Sequence, residues 1–80
     1  MTVTVLLFAS YADAFGASSI DIELASKATV ADLLDAIRLR PGSERLPRHP
    51  VVAVNQRYAN VDGVVRAGDE IALIPPVAGG

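Results

Sequence analysis

The sequence predicts an α+β domain of two layers, a single helix laid across one face of a single sheet. Three observations carry this. Several short runs alternate apolar and polar residues or are continuously apolar, as strands do. One stretch, TVADLLDAIRLR from Thr29 to Arg40, has the spacing of an amphipathic helix. The order along the chain is strand, strand, helix, strand, strand, strand, and a single apolar helix face covers one face of one sheet. The 80 residues make one small unit with a modest core.

Thr2 to Ala9 reads as the first strand. It alternates at first and then becomes continuously apolar, the pattern of a strand interior to a sheet and covered increasingly on both faces. Tyr11 to Phe15 reads as one helical turn closed by Gly16. Ser19 to Leu24 sets Ile20, Ile22 and Leu24 against Asp21 and Glu23, which predicts a half-buried edge strand with its acids in water.

The main helix follows. Thr29 is a good N-cap, and Asp32 three residues on completes a capping-box pattern. Val30, Leu33, Leu34 and Ile37 form one apolar stripe. Asp32 and Asp35 lie near the N-terminus and Arg38 and Arg40 near the C-terminus, as the helix dipole favours. Pro41-Gly42 ends it. Pro41 to Pro50, rich in proline and charge, reads as a loop and as the segment most open to variation and motion. Val51 to Asn55 is a short apolar strand, turning at Asn55-Gln56 into a partner strand from Arg57 to Val61. Asp62-Gly63 and Ala67 to Glu70 are further turns, and Glu70 to Ile74 is the last strand.

Composition narrows the function. Hydrophobic residues are 51% of the chain and the mean hydropathy is +0.38, so a dense core and some apolar surface for a partner are both expected. The net charge is −2, the bases are scattered and no aromatic platform accompanies them. Nucleic acid is therefore not an expected partner, and a basic protein partner is the easier expectation. With no cysteine there is no disulfide, thiolate nucleophile or cysteine-ligated zinc. The apolar run Val5 to Ala9 is far too short to span a membrane and no basic leader precedes it, so the expected location is cytoplasmic.

No catalytic constellation emerges. His49, the single histidine, stands between Arg48 and Pro50 with no nucleophile or orienting group beside it. Glycine-rich phosphate loops are absent. The pairs Asp21/Glu23 and Asp69/Glu70 read as solvated strand and turn positions rather than metal ligands. Asn55 reads as a turn residue, since asparagine tolerates the left-handed conformation, with recognition as the lesser alternative.

What remains is Pro75-Pro76-Val77-Ala78-Gly79-Gly80. The prolines cannot continue the hydrogen bonding of a strand and should lead the chain off the sheet as an extended tail. Six residues reach about 20 Å. Glycines 79 and 80 lack a β-carbon, so they could thread a narrow channel and present the α-carboxylate unshielded. A carboxylate is a poor electrophile until ATP converts it to an acyl-adenylate. The competing reading is a tail that happens to end in glycine.

These segments together carry a resemblance. VVAVNQ (Val51 to Gln56), AGDEIALIPPVAGG (Ala67 to Gly80), LLFAS (Leu6 to Ser10) running to Gly16, and the helix after Thr29-Val30 make the chain similar to the MoaD family of sulfur carriers, the small subunits of molybdopterin synthase. The resemblance implies a ubiquitin-like β-grasp fold: a mixed sheet of about five strands with one main helix on one face, the first and last strands parallel neighbours at its centre. It implies a domain over 1–74 and an extended tail over 75–80. It also implies a mechanism. An E1-like enzyme uses ATP to adenylate Gly80, a sulfur donor converts it to a thiocarboxylate, and the tail enters the large synthase subunit. Sulfur then passes to a cyclic pyranopterin monophosphate on the way to molybdenum cofactor. Gly80 is the reactive residue, and Gly79, Ala78, Val77, Pro76 and Pro75 correspond to the inserted segment. The catalytic groups belong to the partners, this chain binds no cofactor, and the working complex is a heterotetramer of two small and two large subunits. Phe8, at the end of the first strand, is expected to help form an apolar docking patch, with a core position as the equal alternative. Three rival readings remain. One is a carrier for thiamine, cysteine or tRNA thiolation, another a ubiquitin-like modifier joined to lysines through Gly80, and the last a plain interaction domain. Ubiquitin's tail is basic before its glycines, whereas this one is apolar, which favours insertion into a dry pocket.

Overall fold

A computed structural model describes residues 1–76. These residues hold five strands and two α-helices: β1 (Thr2–Leu7), α1 (Ala9–Phe15), β2 (Ser19–Glu23), α2 (Val30–Arg38), β3 (Val51–Val54), β4 (Arg57–Tyr58) and β5 (Glu70–Ile74), with a 3₁₀ turn at Ser43–Arg45. They form one mixed sheet in the order β2-β1-β5-β3-β4. β1 and β5 run parallel, pairing Val5 with Ile71 and Leu7 with Leu73. The other neighbours are antiparallel. The expected parallel pair at the heart of the sheet is therefore present, and β2 is an edge strand as its alternation predicts.

Alternation decides which face is buried. Val3, Val5 and Leu7 of β1, Ile20 and Ile22 of β2, Val52 of β3, and Ile71 and Leu73 of β5 join Val30, Leu33, Leu34 and Ile37 of α2 in the core. The helix begins with the predicted capping box. The Asp32 N–H donates to Thr29 Oγ1 at 3.3 Å, and the Thr29 N–H donates to Asp32 Oδ2 at 2.9 Å.

Three expectations are corrected. β1 stops at Leu7, because Phe8 becomes the N-cap residue of a first helix that starts at Ala9 and is longer than one turn. Gly16 closes that helix at φ 72° as expected. β4 is only Arg57–Tyr58 rather than Arg57 to Val61. The residues beyond it are recruited elsewhere: the Ala31 N–H donates to the Val61 carbonyl and the Val30 N–H to the Gly63 carbonyl, both at 2.9 Å. They satisfy two of the N–H groups that the start of α2 leaves without an intrahelical partner.

The third correction concerns residues 41–50, which are tied down. Leu46 is buried in the core, and Arg38 Nη2 donates to the carbonyls of Pro47 (2.9 Å) and Arg48 (3.1 Å). Ser43 Oγ donates to the Arg38 carbonyl at 2.8 Å, closing the end of α2. Gly42 takes φ 97° hard against α1, where a β-carbon would collide with the Ala14 carbonyl and lie 3.0 Å from Phe15 Cα. Replacing Gly42 by alanine should therefore cost about 2–4 kcal/mol, from strain and backbone collision together. Urea unfolding of Gly42→Ala beside the parent chain measures it.

Candidate functional site

The parallel pairing of β1 and β5 brings their C-terminal ends to the same edge of the sheet. Leu7 lies opposite Leu73, and Phe8 and Ile74 follow one step on. Ile74 also pairs with Val51, the first residue of β3, on the other side. The chain leaves the sheet here through Pro75, which is half-buried, and Pro76, which is exposed. Gly80, Gly79, Ala78 and Val77 lie outside the described residues. Phe8 is 48% exposed and Val51 47%. Phe8 is thus not a core residue, and the docking alternative is the one its position allows.

The face of the sheet turned away from α2 extends this patch. Leu6 lies opposite Ala72, Ala72 opposite Ala53, and Ala53 opposite Tyr58, a row of apolar and aromatic positions crossing four strands. Val51 and Ile74 lie on the same face by alternation. The other half of the face is polar: Thr4 Oγ1 donates to Asp21 Oδ1 at 2.9 Å, and Thr2 bonds Glu23. The apolar half is the half from which the tail departs. Sequence reading missed this row. Its only signal is small and apolar residues at the outward positions of VVAV and EIALI, where a solvated face would carry polar ones, and those residues read equally well as core.

The other candidates have structural work to do. Asn55 (φ 53°) and Gln56 (φ 70°) make the hairpin turn. The Asn55 side chain donates from Nδ2 to Asp69 Oδ1 at 3.0 Å and accepts the Glu70 N–H at 2.9 Å. Asp69 Oδ2 accepts the Arg66 N–H at 2.8 Å. These groups lock the hairpin to the start of β5, which supports the turn reading of Asn55 over recognition. His49 is exposed in the 41–50 segment. Tyr11 is buried on α1 with no hydrogen-bond partner for its hydroxyl among the described residues, and burial raises its pKa above the usual tyrosine value. A cavity of about 480 Å³, lined by Met1, Lys27 and Val64 among others, lies beside the start of β1, at the far edge from the tail. Among the described residues no helix is long and apolar enough to cross a membrane.

The arrangement sets an apolar half-face at the root of the C-terminal segment. Such a sheet and helix, with the last strand feeding a terminal segment from beside the first, define the class of ubiquitin-like β-grasp proteins. Residues 5–80 match the model of the ThiS family, and the chain belongs to that family. It is 35% identical over 82 residues to the molybdopterin synthase sulfur carrier subunit of Homo sapiens, covering 98% of this chain and 93% of that one. It is also 35% identical over 83 residues to small archaeal modifier protein 1 of Haloferax volcanii, covering 92% and 95%. The crystal structure of SAMP1 from Haloferax volcanii superposes with a TM-score of 0.87 at 34% identity over 100% of both chains.

Proposed function

We propose that this chain is the sulfur carrier and small subunit of a molybdopterin synthase, and that Gly80 is its reacting residue. The observation that supports it best is the apolar half-face, which surrounds the root of an apolar tail ending in two glycines. A carboxylate oxygen of Gly80 attacks the α-phosphorus of ATP on an E1-like enzyme and pyrophosphate leaves. Sulfide-level sulfur released by a donor then attacks the Gly80 carbonyl carbon, the bond to AMP breaks, and a thiocarboxylate remains. The large subunit takes the tail into its active site, where sulfur passes to the cyclic pyranopterin monophosphate. The role of this chain is delivery. Glycine at positions 79 and 80 keeps the passage narrow, and the apolar face fixes the direction from which the tail enters.

The customer is supported by the name of the human relative and by the unbroken apolar character of Ile74-Pro75-Pro76-Val77-Ala78. The Haloferax relative, a modifier by name, favours a second reading. In that reading the activated Gly80 is handed to a lysine amine. Reconstitution with the activating enzyme, ATP, a sulfur donor, the large subunit and the pterin precursor separates the two. Dithiolene formation is expected. A thiocarboxylate that the large subunit never discharges, together with lysine-linked conjugates in cells, would favour the modifier.

Docking through the apolar face has its own test. Phe8 occupies an N-cap position without a side-chain capping bond, and aspartate is among the preferred residues there. Phe8→Asp should keep the fold while placing a charge at the tail root. Affinity for the large subunit is expected to fall by about 30-fold or more, roughly 2 kcal/mol. Calorimetric titration reads the affinity, and thermal melting checks that the fold is retained.

A further inference from the structure

Four of the seven bases fall in one segment, which the fold sets beside the tail root. Residues 38–50 hold four arginines (38, 40, 45 and 48) and His49 against a single acid, Glu44, while the rest of the chain holds three bases against eight acids. This one segment is therefore cationic in an otherwise anionic molecule. It is also a pinned segment. Leu46 anchors it in the core, and the Arg38 guanidinium, spent on the carbonyls of Pro47 and Arg48, fixes its far end. Arg45, Arg48 and His49 are left exposed.

Their location matters more than their number. The segment runs directly into Val51, which lies opposite Ile74 at the tail root. Arg48 stands three residues before Val51, so it is within about 10 Å of it along the chain. That is about one screening length at ordinary ionic strength. The 3₁₀ turn bearing Arg45 packs on α1, which begins just after Phe8 and adds one exposed acid, Asp13. On the polar half of the outer face, by contrast, Asp21 and Glu23 are the charged groups. The tail thus leaves the sheet beside a cationic rim.

Resting on the reading of the tail as the delivered group, we infer that Arg45 and Arg48 dock an acidic face of the large subunit beside the opening that takes the tail. Net charge alone points to a basic partner, but the surface at the tail root has the opposite preference. Charges at the edge of an apolar contact act chiefly on encounter: they raise the association rate and set orientation, and they change dissociation little. Here they would present the tail to its channel before the apolar face closes.

The test is the association rate of the full chain with the large synthase subunit, by stopped flow at low and high salt. Arg45→Glu/Arg48→Glu should associate about tenfold more slowly than the parent chain near 50 mM salt and within about twofold of it near 500 mM, with dissociation little changed. Arg45→Lys/Arg48→Lys should keep the parent rate. Lys27→Glu/Arg66→Glu, the same charge change at the far cavity, should lie within about twofold of the parent chain. Thermal melting confirms that each variant is folded. A reversed pair that associates as fast as the parent chain, or faster, overturns the inference while leaving the carrier reading intact. Equal slowing by the far pair also overturns it, since net charge would then explain the effect. No complex with the parent chain overturns the carrier reading, and this inference with it.

Discussion

A chain lacking only Gly80 should fold as the parent does and transfer no measurable sulfur. The core explains the first half: its last buried residue among those described is Leu73, and β5 ends at Ile74. Among the described residues, nothing after Ile74 pairs in the sheet or is buried in the core. Geometry explains the second half. Removing one residue draws the terminal carboxylate back by about 3.3–3.6 Å. A displacement of about 1 Å is enough to cost on the order of 100-fold in a positioned reaction. Binding to the large subunit should change little, because the apolar face is intact. Single-turnover dithiolene formation and a thermal melt on the same sample test both halves. Normal transfer by the shortened chain would refute the role of Gly80, and a lowered melting temperature would show the tail to be part of the fold.

The second large effect is on stability. Leu33 sits in the middle of α2, fully buried, in the helix face that closes the sheet. Leu33→Ala removes its apolar contacts and leaves a cavity, at a cost of about 3–4 kcal/mol. A domain of 80 residues has roughly 4–12 kcal/mol in total. The melting temperature should therefore drop by about 15–25 °C. Leu39, 87% exposed at the end of the same helix, is the control, and Leu39→Ala should be nearly neutral. Urea unfolding measures both, and a loss below about 1 kcal/mol at Leu33 would mean that α2 is not what seals the core.

Sequence reading reached the core of this fold because its signals were local. The capping box at Thr29 and Asp32, the stripe from Val30 to Ile37 and the alternation of Ser19 to Leu24 each state one element without help from the rest of the chain. One misreading was a local boundary, where Phe8 caps a helix instead of ending a strand, and the other two were tertiary. Arg57 to Val61 read as a strand, yet the carbonyl of Val61 serves the start of α2. Residues 41–50 read as loose because prolines and charges are local signs of a loop, whereas the anchor at Leu46 and the clamp from Arg38 depend on distant partners.

The candidate site divides in the same way. The proposed reacting segment, Pro75 to Gly80, rests on the sequence alone, because its chemistry lies in consecutive residues. The apolar row from Leu6 through Ala72 and Ala53 to Tyr58 was not, because strand register creates it and each member resembles a core residue by itself. The cationic rim was hidden for a related reason. Arg45 and Arg48 acquire meaning only when Val51 pairs with Ile74 and sets them beside the tail root.

Whether Gly80 carries sulfur is decided by intact mass after alkylation. Exchange of a terminal oxygen for sulfur is nearly the same mass change as oxidation of Met1, so mass alone does not separate the two. Iodoacetamide does, and the chain has no cysteine to compete for it. After incubation with ATP, an E1-like enzyme and a sulfur donor, the account predicts one adduct, mapped by fragmentation to the peptide ending Ala78-Gly79-Gly80. An unalkylated chain under those conditions, with the same enzyme loading a known carrier, would contradict it.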